Sequence, residues 1–125
     1  MATEKKAKKG NGKSDIVHVS DRDFEEVVLK AKQPVLLDFS AMWCGPCRAL
    51  APVLERVAAS YRRKAIVAKL DVDKSPETSS RYHVSSIPTL IVFQNGKAAE
   101  KSVGLQEEAR LAAMLDRALE AGKKS

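Results

Sequence analysis

The chain has 125 residues, 44% of them hydrophobic, which suffices for one ordinary domain whose core needs no disulfide staples. Its formal charge of +6 is uneven, because residues 1–14 hold five lysines against one glutamate and the remainder is only about +2. No apolar run approaches the ~18 residues that would span a membrane, and no apolar stretch follows the N-terminal lysines as a secretory leader would require.

A cytoplasmic location is therefore the expectation. Residues 1–14, rich in Lys, Gly, Asn and Ser, are read as a disordered, solubilising tail before a single domain at 15–125. Weak contact between that tail and nucleic acid or anionic surfaces is the lesser reading.

After the tail, residues 16–19 form a short strand candidate. Ser20 followed by Asp21 and Asp23 looks like a helix N-cap with a weak capping box. Phe24, Val27, Val28 and Ala31 recur at helical spacing, so a first helix is expected to run to about Lys32 and to end before Pro34. Residues 35–40, VLLDFS, are apolar on both faces, as a central strand covered from both sides would be. A second helix puts Leu50, Leu54, Val57, Ala58 and Tyr61 on one face, with Pro52 inside it as an expected kink.

Residues 65–72 alternate as a third strand, and Ser75-Pro76 opens a short helix to about Tyr82, with Ser75 as its cap. A fourth strand at 89–94 meets a fifth at 97–103 across Asn95-Gly96, the strongest two-residue hairpin signal. Leu111, Leu115, Ala118 and Leu119 line a last helix expected to end at Gly122. This β-α-β-α-β-α-β-β-α order predicts a mixed five-stranded sheet with four helices on its two faces, a three-layer α/β/α sandwich.

The two cysteines, Cys44 and Cys47, stand where the central strand gives way to the second helix, separated by Gly45 and Pro46. At a helix N-terminus, unpaired backbone N–H groups and the helix dipole favour a thiolate, so this pair reads as reactive rather than structural sulfur. Cys44, at the helix start beside Trp43, is the candidate nucleophile, and Cys47, one turn deeper, the candidate resolving thiol. Gly45 is expected to permit close backbone approach, and Pro46 to restrict the turn that holds the sulfurs together. Asp38 is an acid within an apolar strand. If buried, its pKa rises toward neutrality, where it could accept the Cys47 proton through water; the other reading is an acid at a strand end facing solvent. Lys69 on the neighbouring strand is either its partner or an exposed lysine.

These features together resemble the thioredoxin family over residues 16–121. WCGPC at 43–47, the DF of Asp38 and Phe39, AKLDVD at 68–73, SIPT at 86–89 and the NG hairpin match family segments in order and spacing. The resemblance implies the strand order 1-3-2-4-5 with the last two strands antiparallel to the others. It also implies a cis peptide bond before Pro88, placing that proline opposite the cysteines as a further tuning residue. It favours the buried-base reading of Asp38. Ser40 departs from the family, standing where many members carry tryptophan, so packing beneath the site is expected to differ.

Substrate contact is expected around Trp43, Ile87, Pro88, Val103 and Gly104, through apolar surface and an added extended strand beside Pro88. Core packing is the competing reading for Ile87 and Val103. The function implied is general protein-disulfide reduction by a monomer with no bound cofactor beyond a reversible Cys44–Cys47 disulfide. Thioredoxin reductase would recharge it with NADPH, and ribonucleotide reductase, peroxiredoxin and methionine sulfoxide reductase are substrates the resemblance suggests. A disulfide oxidant or isomerase, a non-redox interaction subunit, and a zinc module using His18 and His83 are the alternatives, the last lacking four suitably spaced ligands.

Overall fold

The computed structural model describes residues 14–124. Its elements are β1 (Ile16–Val19), α1 (Glu25–Leu29), β2 (Val35–Ser40), α2 (Gly45–Ser60), β3 (Ile66–Asp71), α3 (Pro76–Arg81), β4 (Thr89–Gln94), β5 (Lys97–Val103) and α4 (Glu108–Lys124). The expectation of a disordered tail falls outside the described residues at 1–13. Ser14 is already tied down, its hydroxyl donating to Glu55 Oε2 at 2.8 Å and accepting from the Ile16 N–H at 3.1 Å.

The five strands are ordered β1-β3-β2-β4-β5. β1, β3 and β2 run parallel, while β4 is antiparallel to β2 and β5 antiparallel to β4. β5 therefore runs with β2, and only β4 opposes the rest, which corrects the expectation that both final strands do. A two-residue hairpin must reverse the chain, and Asn95 (φ 53°) and Gly96 (φ 79°) form such a turn in the left-handed region. An irregularity between Val92 and Phe93 shifts the β4–β5 register by one residue.

Because successive strand residues face opposite sides, β2 supplies both halves of the core. Leu36 joins Leu50, Leu54, Val67, Leu90 and Met114 beneath α2 and α4. Leu37 and Phe39 join Phe24, Val28, Leu70 and Phe93 beneath α1 and α3. Phe24, Tyr82 and Phe93 close the second half as an aromatic trio, with ring centroids 5.0–5.6 Å apart. Each fully buried Leu or Phe removes enough apolar surface from water to contribute roughly 1.5–3 kcal/mol.

Two helix expectations are corrected. The first helix is far shorter than the stretch to Lys32. Residues 21–23 form a turn, and α1 is a single wide turn of π type, closed by the Lys30 N–H on the Glu25 carbonyl at 3.0 Å. The apolar spacing was right, since Phe24 and Val28 are buried, but it cannot tell one wide turn from three α turns. Gly122 lies inside α4 rather than ending it. A Cβ there would come within 3.0 Å of Gln94 Nε2, which donates to the Ala118 carbonyl at 2.7 Å, so this glycine makes room for a helix–strand bridge.

The cap of α3 also differs from expectation. Ser75 makes no side-chain cap bond; its hydroxyl instead accepts from the Asp21 N–H at 3.1 Å. Asp21 supplies the cap from across the sequence, accepting from the N–H groups of Glu77 and Thr78 and from the Thr78 hydroxyl at 3.1, 2.8 and 2.7 Å. Burial pushes the Asp21 carboxyl up, but these hydrogen bonds outweigh it and hold the group below its ordinary value. Asp21→Ala is expected to cost about 1 kcal/mol and at most ~2, measured by urea denaturation at pH 7. An unchanged midpoint would show that α3 is held by packing alone.

Candidate active site

The C-terminal end of β2 delivers the chain directly to the site. Cys44 is the N-cap of α2 (φ −90°, ψ 115°), and a proline occupies the first turn, where its missing N–H costs nothing. Cys44 and Cys47 form a disulfide with Cα atoms 5.2 Å apart. Cys44 Sγ accepts from the Cys47 N–H at 3.2 Å, so one of the four N–H groups left unpaired at a helix start points at this sulfur. The same sulfur lies 3.9 Å from the Ile87 carbonyl oxygen. Ala41 and both cysteines form a small buried cluster, against which Ile87 and Val72 pack.

Both sulfurs are nearly enclosed, with Cys44 5% and Cys47 2% exposed. Depth therefore separates them little. What distinguishes Cys44 is its position outside the first helical turn, facing the Cys47 N–H. A Cβ on Gly45 would meet nothing within 4 Å among the described residues outside its chain neighbours and its own helix, so the space beside it is open.

The peptide bond Ile87–Pro88 is cis. The Pro88 carbonyl accepts from the Gly104 N–H at 2.8 Å, which binds the Pro88 loop to the end of β5 and already engages one backbone group beside the proline. Gln106 Nε2 donates to the carbonyls of Val103 and Gly104 at 3.1 and 3.2 Å, bracing the same rim.

Asp38 is fully buried, and neither carboxylate oxygen has a hydrogen-bond partner among the described residues. Desolvation pushes its pKa up to about 7, opposed by the positive charge of Lys69. The two residues sit side by side in the β2–β3 register. Asp38 shares its strand face with Leu36, beneath α2. The reading of an acid facing solvent is thus removed, and Lys69 acts on Asp38 through its charge.

Trp43 is 67% exposed and is held by an Nε1–H bond to Asp73 Oδ2 at 2.7 Å. Val103 is 53% exposed, whereas Ile87 is partly buried against the cysteines and Pro88 is buried. Core packing is thus the better description of Ile87, and surface that of Val103. Sequence reasoning missed Met42 and Leu105, which stand at least as exposed as Val103 and widen the apolar rim. Met42 could have been found from its place between strand and cysteines; Asp73 as an anchor for Trp43 had no such signal.

His18 lies in β1 and His83 in the turn after α3 at φ 56°. Among the described residues no group of three or more His, Cys, Asp or Glu side chains is placed to hold a metal, and no helix is long and apolar enough to cross a membrane.

Comparison with known proteins adds an independent observation. Residues 15–117 match the family model described as Thioredoxin. Proteins named Thioredoxin from Staphylococcus aureus, in strains including MW2 and COL, are 52% identical over 104 residues, covering 83% of this chain and 98% of theirs.

Proposed function

Since the chain belongs to the thioredoxin family and carries its Cys-Gly-Pro-Cys disulfide, it is a protein-disulfide oxidoreductase, and we propose the following division of labour among its residues. In the reduced form the Cys44 thiolate attacks one sulfur of a substrate disulfide, forming a mixed disulfide and releasing the other substrate sulfur as a thiolate. Cys47 then attacks Cys44 Sγ, expelling the second substrate sulfur and leaving the Cys44–Cys47 disulfide. Two electrons pass to the substrate, and two protons end on its thiols.

Asp38 accepts the Cys47 proton during that second step, through an intervening water. Lys69 moderates its basicity. A free thiol with an ordinary pKa of about 8.5 is only a few per cent ionised at pH 7, so the helix start and the Cys47 N–H serve to raise the thiolate fraction of Cys44. Pro46 restricts the turn between the sulfurs, Gly45 completes it, and Pro88 closes the opposite wall. Substrate chains lie over Trp43, Ile87, Pro88, Val103 and Gly104, with Met42 and Leu105 extending that surface.

The oxidised protein is returned to the dithiol by an NADPH-dependent thioredoxin reductase, and it serves enzymes that finish a cycle oxidised, such as ribonucleotide reductase, peroxiredoxin and methionine sulfoxide reductase. It works as a cytoplasmic monomer with no bound cofactor. The observation that carries this reading is a disulfide at the N-cap of α2, just beyond the end of the strand that buries Asp38.

The test is the reduction potential of the pair, equilibrated in dithiothreitol or glutathione buffers with Trp43 fluorescence as readout. A value well below the glutathione couple is expected of a reductant. A value in the isomerase range would reassign the protein to disulfide formation or shuffling. An interaction subunit would be revealed by partner binding that survives replacement of both cysteines with serine.

A further inference from the structure

Beside the disulfide, lined by Cys47 and not by Pro88, the structure holds a cavity of about 530 Å³. Its floor is the C-terminal end of the parallel part of the sheet, through His18, Ser40 and Asp71, and its roof is the first half of α2, through Cys47, Arg48 and Ala51. The strand faces explain why it lies there. Leu36, Val67 and Ile16 point beneath α2 into the core, so Ser40, Asp71 and His18, an even number of residues further along the same strands, share that face. On the face they share, positions 38, 69 and 71 around residue 40 carry polar groups and residue 40 itself only a hydroxymethyl group, so no large apolar side chain from these strands fills the space under the helix.

The cavity has the character of a ligand site. Its volume lies within the ~300–1,000 Å³ typical of small-molecule pockets. Its walls are mostly apolar, and it sits outside the carboxyl ends of parallel strands, where open α/β sheets bind ligands. Its charge is one-sided: Arg48, Lys69 and Lys74 line it against Asp71 alone, and Asp71 Oδ1 already accepts from the Asp73 N–H at 2.9 Å. Arg48 spends one Nη donor on the Met42 carbonyl at 2.8 Å and keeps the rest of its fork.

We propose that this cavity binds a small organic anion, with an apolar body seated between Ser40 and Ala51 and a single carboxylate or sulfonate directed to Arg48, Lys69 and Lys74. Such a ligand would lie against Cys47 and reach Met42, which also edges the apolar rim proposed to receive protein substrates, so the cavity opens beside that surface.

The test uses the full-length oxidised chain titrated with 1-anilinonaphthalene-8-sulfonate, followed by fluorescence and calorimetry, alongside the uncharged N-phenyl-1-naphthylamine. Single-site saturable binding is expected, weakening with added salt. The uncharged analogue should bind at least about tenfold more weakly, and Lys74→Glu should weaken the sulfonate by a similar factor. Ser40→Trp and Ala51→Phe fill the cavity from floor and roof, and each should weaken binding by more than about tenfold while retaining a cooperative unfolding transition. Using two filling variants keeps the test decisive if one fails to fold. Binding undiminished in a folded filling variant would place the dye on the Trp43 rim and overturn the proposal. Equal affinity for the uncharged analogue, or the absence of saturable binding, would overturn it too.

Discussion

Cys44→Ser lowers disulfide reduction by at least about a thousandfold, to the background rate of the reductant, whereas Cys47→Ser still attacks substrate but fails to release it. The asymmetry follows from the start of α2. Cys44 stands at the N-cap with a backbone N–H from residue 47 on its sulfur, while the Cys47 backbone already belongs to the first helical turn. Serine at 44 removes the only sulfur so placed, and its hydroxyl, with a far higher pKa, supplies no comparable nucleophile. Serine at 47 leaves the first attack intact but removes the second, so the mixed disulfide accumulates. Mass spectrometry of the full chain after mixing with an oxidised protein reads this directly as an adduct of one substrate per chain. An adduct on Cys44→Ser, with none on Cys47→Ser, would reverse the two roles.

Asp38→Asn raises stability at pH 8 by up to roughly 4 kcal/mol and removes most of the pH dependence of stability between about 4 and 7. The native carboxyl, without a hydrogen-bond partner among the described residues, has its pKa pushed up to about 7 by burial, against an ordinary value of 3.8. Between those values the unfolded chain has released this proton and the native chain has not. Native stability therefore falls as pH rises from about 4, and levels off above about 7, where both states are ionised and the native one holds a buried charge. The gap between the ordinary value and about 7 corresponds to roughly 4 kcal/mol.

Asparagine keeps the shape and cannot ionise, so the variant should match the parent near pH 4 and diverge upward. Urea denaturation at pH 4.5, 6 and 8 checks this. Parallel curves for the two proteins would mean that the carboxyl is not desolvated. The same variant should slow release of the mixed disulfide and lose the inflection near pH 7 in that step. A structural role alone would move the stability and leave the rate profile in place.

Much of this could be read from the chain because the signals were local. Strand alternation, the Asn95-Gly96 turn and the Cys-Gly-Pro-Cys junction each state their geometry within a few residues. What escaped was set by partners far away in sequence. Asp21 looked like part of a first helix turn, but its carboxylate is claimed by Glu77 and Thr78, more than fifty residues on. Gly122 looked like a helix stop, yet it sits under Gln94. The burial of Asp38 was legible only as one of two readings, since a single acid in an apolar strand does not say which end of the strand is covered. The cavity under α2 could be foreseen only as altered packing at Ser40, because its charge comes from three separate elements.

β2 has β3 on one side and β4 on the other, and every one of its residues is buried. Its amides can therefore exchange with deuterium only through opening of the whole domain, whereas the rim around Trp43 and Met42 is free to exchange through small local motions. The redox cycle must then turn over with the base-bearing strand as a fixed frame. The shift that accompanies making and breaking the disulfide is then taken up around it, so a deuterium-uptake difference between the oxidised and reduced forms should fall in residues 41–47 and in the Ile87–Pro88 loop packed on the cysteines, and leave 35–39 unchanged.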